Sequence, residues 1–434
     1  MMEKLSYYNH YVPIDKEKVL LYNSFRGSYS IISNRIYTEL VKSNKDLSQF
    51  EKMYNNYYTK LKNIGAIVDE DVDEINIIKL IRLKRRFSLH RYDLTINTTM
   101  NCNLRCWYCY ENHVQESKMT IHTSDLIFEH VVQHYNATGY KVLSLSFFGG
   151  EPLLNPKICT SLLSRCKQFC DLNNIQLLVI FTTNGTLITE KLLNFLNDYS
   201  VHFQITFDGS RSRHDKIRFS KQNHKGSYDK ILLNLQMISQ TLQNYSLRVR
   251  INIENDTLES LKELLDDINF IDRAKSSIGI HKIWQGDDTT IDYSNLYDFI
   301  EEANQRKHVV DYNPLKSVMT HVCYADNYNQ AVINYDGSVF KCTARDFTDA
   351  NKEGNLLPSG TINWNVEKVL YRMSSNIPVM CEKCKLLPAC PGICSQKVMD
   401  GNEMHCSISE LEDINDIILI NFNQYLLQEE LKQI

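Results

Sequence analysis

The chain has 434 residues, of which 43% are hydrophobic and 23% are charged. This composition is ordinary for globular proteins and excludes a disordered or collagen-like chain. The formal net charge of -4 gives no electrostatic reason to expect nucleic acid, so a small molecule or another protein is the expected partner. The N-terminus is polar and no later run is long and apolar enough to span a bilayer, which predicts a cytoplasmic protein without a membrane partner.

The first 88 residues are expected to form a small unit, because a chain of this length exceeds the size of a single core. Strands are predicted at residues 19–23 and 28–33, and a short closing strand at residues 66–71. Between them one apolar helix face is predicted to stop at Gly65; its members recur at spacings of four and three and are Phe50, Tyr54, Tyr57, Leu61 and Ile64.

Residues 78–91 form a basic stretch, IKLIRLKRRFSLHR. Such a run either contacts an acidic partner or is the solvated face of a linker helix. Because charge runs are usually solvated, the linker helix is the favoured interpretation.

Strand and helix candidates alternate from residue 92 to about residue 284, with one helix predicted around residues 124–135. Six strand candidates are rich in Val, Ile, Leu and Phe, as buried parallel strands are: residues 92–99, 141–150, 175–185, 201–209, 247–255 and 277–284. The prediction is an α/β domain at residues 89–310, a partial (β/α)6 barrel with its chemistry at the carboxyl ends of the strands.

Residues 311–434 lose this alternation, and Cys, Gly and Pro separate short elements until a last amphipathic helix predicted at residues 408–431. Metal clusters are expected to replace part of the core in this third domain. The chain has 13 cysteines, and none lies before Cys102. In a reducing compartment, ligation of a metal or cluster is favoured over disulfides.

Three cysteines follow the spacing C-x3-C-x2-C after the first barrel strand: Cys102, Cys106 and Cys109. Three thiolates leave one iron of a four-iron cluster open to another molecule. Zinc, with His113 as fourth ligand, is the alternative. The spacing resembles the signature of the radical S-adenosylmethionine (SAM) superfamily. That resemblance implies a [4Fe-4S] cluster that binds and cleaves SAM, a 5'-deoxyadenosyl radical that abstracts hydrogen, and Tyr108 packed beside the cofactor.

A second motif, Gly149-Gly150-Glu151-Pro152, ends the second barrel strand. It resembles the GGEP motif of the same superfamily, which implies that Gly149, Gly150 and Glu151 hold the methionine amino group. On its own a Gly-Gly bend is a turn. The resemblance implies further SAM contacts on later strands or shortly after them, at Asn184, Thr206, Asp208, Arg218 and Asn252. For each of these residues, a structural role is an equal alternative to a functional one.

Seven cysteines lie in the C-terminal region: Cys323, Cys342, Cys381, Cys384, Cys390, Cys394 and Cys406. Cys342 ends a G-x4-C pattern, the next four follow the spacing C-x2-C-x5-C-x3-C, and Cys406 comes last. This pattern resembles the SPASM domain of peptide-modifying radical enzymes. The resemblance implies two auxiliary [4Fe-4S] clusters, three clusters in all. One would be held by Cys381, Cys384, Cys390 and Cys406.

The other auxiliary cluster would be held by Cys323, Cys342 and Cys394, completed by an open iron or by Asp326. The short gap from Cys394 to Cys406 departs from the family pattern. The remaining cysteines, Cys159, Cys166 and Cys170, share one predicted helix face and are expected to be buried as small apolar side chains.

The N-terminal segment resembles the winged-helix-like peptide-recognition element of maturases that act on ribosomally made peptides. That resemblance implies a precursor peptide whose leader adds to a sheet edge, and an electron donor such as flavodoxin or ferredoxin. The expected reaction is hydrogen abstraction followed by a thioether or carbon-carbon crosslink, with epimerisation as another outcome.

The main competing hypothesis is an anaerobic sulfatase maturase, which forms formylglycine. Those enzymes resemble each other in an aspartate base directly after the cysteine of G-x4-C, where this chain has Thr343; Asp346 lies three residues further on and is the candidate base. A scaffold that only binds is the third hypothesis, and the complete cysteine triad argues against it.

Overall fold

The computed structural model describes residues 2–258, 260–283, 293–312, 315, 322–374, 377–401, 406 and 413–433. The chain divides into two compact units. The first contains Met1–Ser88, Asn313–Tyr328 and Tyr371–Leu426, and the second contains Leu89–Tyr312, Asn329–Leu370 and Leu427–Ile434. Residues 311–434, expected as one domain, are thus shared between both units. In the described residues, no helix has the length and apolar character needed to cross a membrane.

The first 88 residues of the first unit combine five strands with four helices. The strands are β1 (Glu3–Leu5), β2 (Asn9–Pro13), β3 (Lys18–Asn23), β4 (Ser28–Ser33) and β5 (Ile67–Asp69). The helices are α1 (Asn34–Lys42), α2 (Ser48–Met53), α3 (Asn55–Asn63) and α4 (Glu74–Arg86). Strands β2, β3 and β4 form an antiparallel sheet in that order, and β1 pairs with β5. The three strands predicted here are confirmed.

The single helix predicted up to Gly65 is two helices, although Phe50, Tyr54, Leu61 and Ile64 of the predicted face do pack in one core. The backbone leaves the helical conformation at Tyr54, with φ −135° and ψ 43°, so that α2 ends and α3 begins there. This break resets the helical phase, and Tyr58 enters the core while Tyr57 is 38% exposed. Gly65 does end α3 with a φ of +77°, which a β-carbon would disfavour.

Helix α4 carries the basic stretch, but its charges are not all solvated as expected. The Arg82 guanidinium donates to the carbonyl oxygens of Leu387 at 3.2 Å and Cys390 at 2.7 Å. Arg86 donates to the carbonyl oxygen of Met373 at 2.8 Å. One side of the helix therefore binds the cysteine-rich segment of the same unit.

That cysteine-rich segment contains α14 (Val379–Glu382) and α15 (Ser395–Met399), and the last helix is α16 (Ile414–Leu431). The predicted start of this helix at Ile408 lies outside the described residues. Val12, Leu20 and Tyr22 of the small sheet share one apolar core with Leu386 and Ile417. The N-terminal sheet and the cysteine-rich segment are therefore a single folded body.

The second unit is built on a long sheet. Its strands are β6 (Arg91–Asn97), β8 (Val142–Phe148), β9 (Gln176–Thr183), β10 (Val201–Phe207), β12 (Tyr245–Ile253), β13 (Ser276–Lys282), β14 (Val310–Asp311), β15 (Gln330–Ile333), β16 (Ser338–Phe340), β17 (Gly354–Leu356) and β18 (Ile362–Trp364). Two short strands, β7 (Leu104–Arg105) and β11 (Phe219–Ser220), pair separately. The helices are α5 (Ile121–Thr138), α6 (Pro156–Leu172), α7 (Glu190–Leu196), α8 (Arg211–Ile217), α9 (Tyr228–Thr241), α10 (Asn255–Leu258), α11 (Leu261–Asp267), α12 (Tyr293–Gln305) and α13 (Val366–Met373).

The sheet order is β14-β13-β12-β10-β9-β8-β6-β15-β16-β17-β18. The six predicted strands are confirmed as neighbours in parallel pairing, although the expected end of the last at Trp284 lies outside the described residues. Parallel β14 and β15 were not predicted, because two and four residues are too short to show a pattern. The α/β prediction is correct, and the sheet aligns the carboxyl ends of its parallel strands.

Phenylalanines and aliphatic residues fill the interior of this sheet. Phe147, Phe181 and Phe203 on successive strands are fully buried, with ring centroids 4.9 and 5.8 Å apart. Cys159, Cys166 and Cys170 are fully buried on α6, as predicted. Rigid packing of this kind fixes where each strand ends and therefore where the side chains beyond it lie.

Candidate active site at the strand ends

The loop after β6 carries three cysteines: Cys102 is buried, Cys106 is half-buried and Cys109 is exposed. Burial, and then the Glu151 carboxylate, raises the pKa of the Cys102 thiol to about 12. Burial followed by the nearby Glu111 raises the pKa of Cys109 to about 11. At neutral pH these thiols therefore stay protonated unless a metal binds and ionises them.

The Gly-Gly bend after β8 lies directly against this cysteine loop. Gly150 N donates to the carbonyl oxygen of Thr99 at 3.1 Å, and Glu151 N donates to that of Asn101 at 2.8 Å. A β-carbon at Gly149 would lie 2.5 Å from the Thr99 oxygen, and one at Gly150 only 2.2 Å from the Asn101 oxygen. Glycine is therefore required at both positions.

Glu151, which was predicted to hold the methionine amino group, follows directly after the two glycines. Its carboxylate is fully buried and accepts from the Thr183 hydroxyl at 2.7 Å, from Asn184 N at 2.7 Å and from Leu153 N at 3.0 Å. Through these hydrogen bonds the carboxylate ties the end of β8 to the end of β9.

Asn184 follows β9 and also fixes the cysteine loop. Its amide nitrogen donates to Asn103 Oδ1 at 2.8 Å and lies 3.7 Å from Cys102 Sγ. The Asn184 backbone N–H holds Glu151, so one residue links the bend to the loop.

The Tyr108 hydroxyl is the centre of a polar network at the strand ends. It donates to Asp208 Oδ2 at 2.6 Å and accepts from Arg218 Nη1 at 2.8 Å and Asn252 Nδ2 at 3.0 Å. Arg218 also pairs with Asp208 at 3.7 Å. Arg250 Nε donates to Asn252 Oδ1 at 2.9 Å and orients it. Four of the predicted side chains thus meet in one place.

Several buried polar atoms in this region have no hydrogen-bond partner among the described residues. They include Asp208 Oδ1, Arg218 Nε and both amide atoms of Asn97. Buried polar groups are rarely left unpaired unless another molecule pairs with them. These atoms therefore fit a polar ligand beside the cysteine loop.

Asn97 was not predicted as a site residue. It ends β6, is fully buried, and its β-carbon would lie 3.2 Å from a β-carbon at Gly149. The sequence feature that could have identified Asn97 is an amide side chain at the end of an apolar strand, directly before the cysteine loop. Thr206, in contrast, was predicted, but its hydroxyl makes no hydrogen bond to any residue that the structure describes.

A second missed residue is Glu111, two positions after Cys109. Glu111 is 9% exposed, and burial followed by the charge of Asp346 raises its pKa to about 8. The candidate base Asp346 accepts from Asn112 N at 3.1 Å and from the Asn112 side chain. Tyr110 donates to the carbonyl oxygen of Thr343 at 2.7 Å. The loop after Cys342 is therefore placed against the loop after Cys109.

The other predicted cluster residues are shared between the units. Cys342 belongs to the second unit, whereas Cys323 and Cys394 belong to the first. Asp326 is buried in the first unit and accepts from the Ser395 hydroxyl, directly after Cys394. Burial raises the pKa of this Asp326 carboxyl.

The remaining four thiols lie together within the first unit. Cys384, Cys390 and Cys406 pack against the same apolar core, and the charges of Cys384 and Cys406 reach Cys381.

Residues 96–268 match the model of the Radical SAM superfamily. The segment that carries the cysteine loop and the Gly-Gly bend is therefore a radical SAM domain. As a radical SAM enzyme the protein uses SAM and a [4Fe-4S] cluster. The three thiols after β6 suit the cluster, and the unpaired polar atoms suit SAM. When bound, the cluster supplies the electron that cleaves SAM.

The radical SAM enzyme is similar to a cysteine-type anaerobic sulfatase-maturating enzyme from Clostridium novyi, with 26% identity over 328 residues, 68% of this chain and 85% of that one. Its fold is similar to that of native anSMEcpe with bound AdoMet, with a TM-score of 0.58, 18% identity, and coverage of 77% of this chain and 99% of that one. It is also similar to SuiB from Streptococcus suis bound to its precursor peptide SuiA, with a TM-score of 0.53, 15% identity, and coverage of 95% of this chain and 100% of that one.

Proposed function

We propose that this radical SAM enzyme is a cytoplasmic maturase of a ribosomally made precursor peptide. It abstracts a hydrogen atom from the peptide and installs a thioether or carbon-carbon crosslink. Cys102, Cys106 and Cys109 hold the radical SAM cluster. Gly149, Gly150 and Glu151 hold the methionine amino group of SAM, and the network around Tyr108 also contacts SAM. The remaining SAM contacts come from the strand ends, at Asn184, Thr206, Asp208, Arg218 and Asn252.

The observation that carries this proposal is the construction of the first unit. A three-stranded sheet, whose edge strands among the described residues are β2 and β4, shares its core with the cysteine-rich segment. A leader peptide can add to such an edge through backbone hydrogen bonds. The likeness to SuiB bound to a precursor peptide extends over 95% of the chain, which includes this unit. The leader would therefore bind the same body that holds six of the seven auxiliary thiols.

Two auxiliary [4Fe-4S] clusters belong to the proposal. Cys381, Cys384, Cys390 and Cys406 hold one, and Cys323, Cys342 and Cys394, with Asp326 as an oxygen ligand, hold the other. The crosslink removes two hydrogens from the peptide: the first leaves as an atom to form 5'-deoxyadenosine, and the second as a proton and an electron. An auxiliary cluster accepts that electron, and a flavodoxin or ferredoxin supplies the electron for SAM cleavage.

Formylglycine formation is the second candidate, favoured by the similarity to the Clostridium novyi enzyme over 68% of this chain. The position after Cys342 holds Thr343, which cannot act as a carboxylate base. Asp346 is the alternative base, but Asn112 already occupies its carboxylate. Epimerisation is a third outcome, which needs a hydrogen donor at the end of the reaction.

The test is a reaction of the reduced enzyme with SAM and the small peptide encoded next to it. The expected result is 5'-deoxyadenosine together with a peptide that has lost two hydrogens, located by tandem mass spectrometry. Cys102→Ala should form neither, and a peptide without its leader should react far more slowly. An unchanged peptide mass with deuterium incorporated from the solvent would instead show epimerisation. Formylglycine in a sulfatase-derived peptide, with no change in the precursor, would contradict the proposal.

A further inference from the structure

His113 lies between a cluster thiol and a lysine. Its Nε2 is 3.6 Å from Cys109 Sγ, within hydrogen-bonding distance for sulfur, and its Nδ1 is 3.0 Å from Lys221 Nζ. Cys109 is the exposed thiol of the triad, so this imidazole covers the side of the cluster loop that meets solvent.

The lysine determines which ring nitrogen carries the proton. An ammonium group has three donors and no acceptor, so a nitrogen that faces it at 3.0 Å must accept. His113 Nδ1 is therefore unprotonated, and the proton of the neutral ring lies on Nε2, which faces Cys109 Sγ. The direction of the second hydrogen bond follows: Nε2–H donates to the sulfur.

The backbone holds Lys221 in this position. Strand β11 pairs with β7 inside the cysteine loop, through Phe219 with Arg105 and Ser220 with Leu104. Lys221 N then donates to the carbonyl oxygen of Asn103 at 3.0 Å. The segment that carries the ammonium group is thus fastened to the loop that carries the thiols, and the charge of Lys221 also reaches Cys106.

We infer that His113 is a positioning residue of the radical SAM cluster, which donates a hydrogen bond to the Cys109 thiolate, and that Lys221 fixes the imidazole tautomer for this task. A donor to a ligating sulfur stabilises the more negative, reduced cluster and so raises its reduction potential. The inference rests on the radical SAM domain and is independent of the peptide that the enzyme modifies.

The test compares His113→Leu and Lys221→Met with His113→Gln and Lys221→Arg in the full chain. Gln keeps one donor and one acceptor, and Arg keeps the donor to Nδ1. The measurement is a redox titration of the [4Fe-4S] electron paramagnetic resonance signal that changes when SAM is added. A Cys102→Ala sample gives the signal of any other cluster, which is subtracted. In the Leu and Met variants, the ratio of reduced to oxidised cluster at a fixed potential should fall about tenfold, as expected for one charge-assisted hydrogen bond. The Gln and Arg variants should stay near the wild type.

Iron analysis of the same samples separates positioning from ligation. All four variants should keep the iron content of the wild type. A loss of about four irons in His113→Leu would make His113 a ligand of the cluster and overturn the inference. An unchanged potential in both His113→Leu and Lys221→Met, with full iron content, would overturn it as well.

Discussion

The Tyr108 hydroxyl has one proton and two lone pairs, and all are used within the active-site network. Tyr108→Phe removes these three hydrogen bonds and leaves Asp208 and Arg218 without their shared partner. We expect SAM to bind about tenfold more weakly, because partners left unpaired in a buried site cost about 1–3 kcal/mol. Equilibrium binding of SAM to the reduced and oxidised enzyme measures the effect.

Tyr140→Phe is the matched control for this substitution. Tyr140 is fully buried, whereas Tyr108 is half-buried, and the Tyr140 hydroxyl donates to the carbonyl oxygen of Val131 at 3.0 Å, away from the strand ends. This variant should lose some stability but bind SAM normally. Equal losses of affinity in both variants would mean that Tyr108 supports only the fold.

His130 makes the stability of the second unit depend on pH. Its Nε2 lies 2.7 Å from the Tyr92 hydroxyl and its Nδ1 lies 2.9 Å from the Gly360 carbonyl oxygen. Burial, and then the neighbouring His134, lowers the pKa of His130 to about 4. The unfolded chain takes up this proton near pH 6.5, whereas the folded chain resists it until about pH 4, so stability falls as the pH falls through this range.

We expect His130 to contribute a loss of about 2 kcal/mol in the free energy of unfolding between pH 7 and pH 5. Urea unfolding at both pH values, in the wild type and in His130→Gln, measures it, and the variant should show the smaller change. His122 on the same helix is exposed, so His122→Gln should keep the pH dependence of the wild type. Identical pH dependence in His130→Gln and the wild type would contradict this role.

At the scale of elements, helix α4 joins the N-terminal segment to the cysteine-rich segment through Arg82. Arg82→Met removes two hydrogen bonds to carbonyl oxygens while keeping the length of the side chain. We expect the free energy of unfolding of the first unit to fall by about 2–3 kcal/mol. Hydrogen bonds from charged groups contribute about 1.5–3 kcal/mol each, and hydrogen bonds to water replace part of what is lost. Limited proteolysis within residues 377–401 should become faster.

Lys84→Met on the same helix is the control, because Lys84 is exposed. It should leave proteolysis unchanged. If Arg82→Met and Lys84→Met were cleaved at the same rate, the contact of α4 with the cysteine-rich segment would not contribute to stability.

The strands were predictable because β9 contains an apolar run and β10 alternates buried apolar with polar residues, and both patterns are typical of strands. The break at Tyr54 was not, because a single non-helical residue leaves the apolar spacing nearly intact. Asn97 and Glu111 were missed because only the folded chain buries them, Asn97 without a partner for its amide and Glu111 near the charge of Asp346. The sequence pointed to Glu151 but could not show that Thr183 and Asn184 donate to its carboxylate.

At the scale of the whole molecule, six of the seven auxiliary cysteines belong to the first unit, and all three cysteines of the radical SAM site belong to the second. The first unit joins residues 1–88 to the cysteine-rich segment, and Tyr8, Phe25 and Ile78 pack around Leu387 beside Cys381. The second unit has its own sheet and core and carries the cysteine loop after β6. Loss of the first 88 residues should therefore damage the auxiliary sites and spare the radical SAM site.

The experiment is iron analysis and SAM cleavage after removal of residues 1–88. The full chain should hold about twelve irons in three clusters, and the shortened chain should keep about four and still cleave SAM slowly with a chemical reductant. The mirror variant, Cys102→Ala with Cys106→Ala and Cys109→Ala in the full chain, should keep about eight irons and cleave no SAM. A shortened chain that held about twelve irons would show that the cysteine-rich segment folds without the N-terminal sheet. In that case the shared core around Leu20 and Ile417 would not be what stabilises the auxiliary sites.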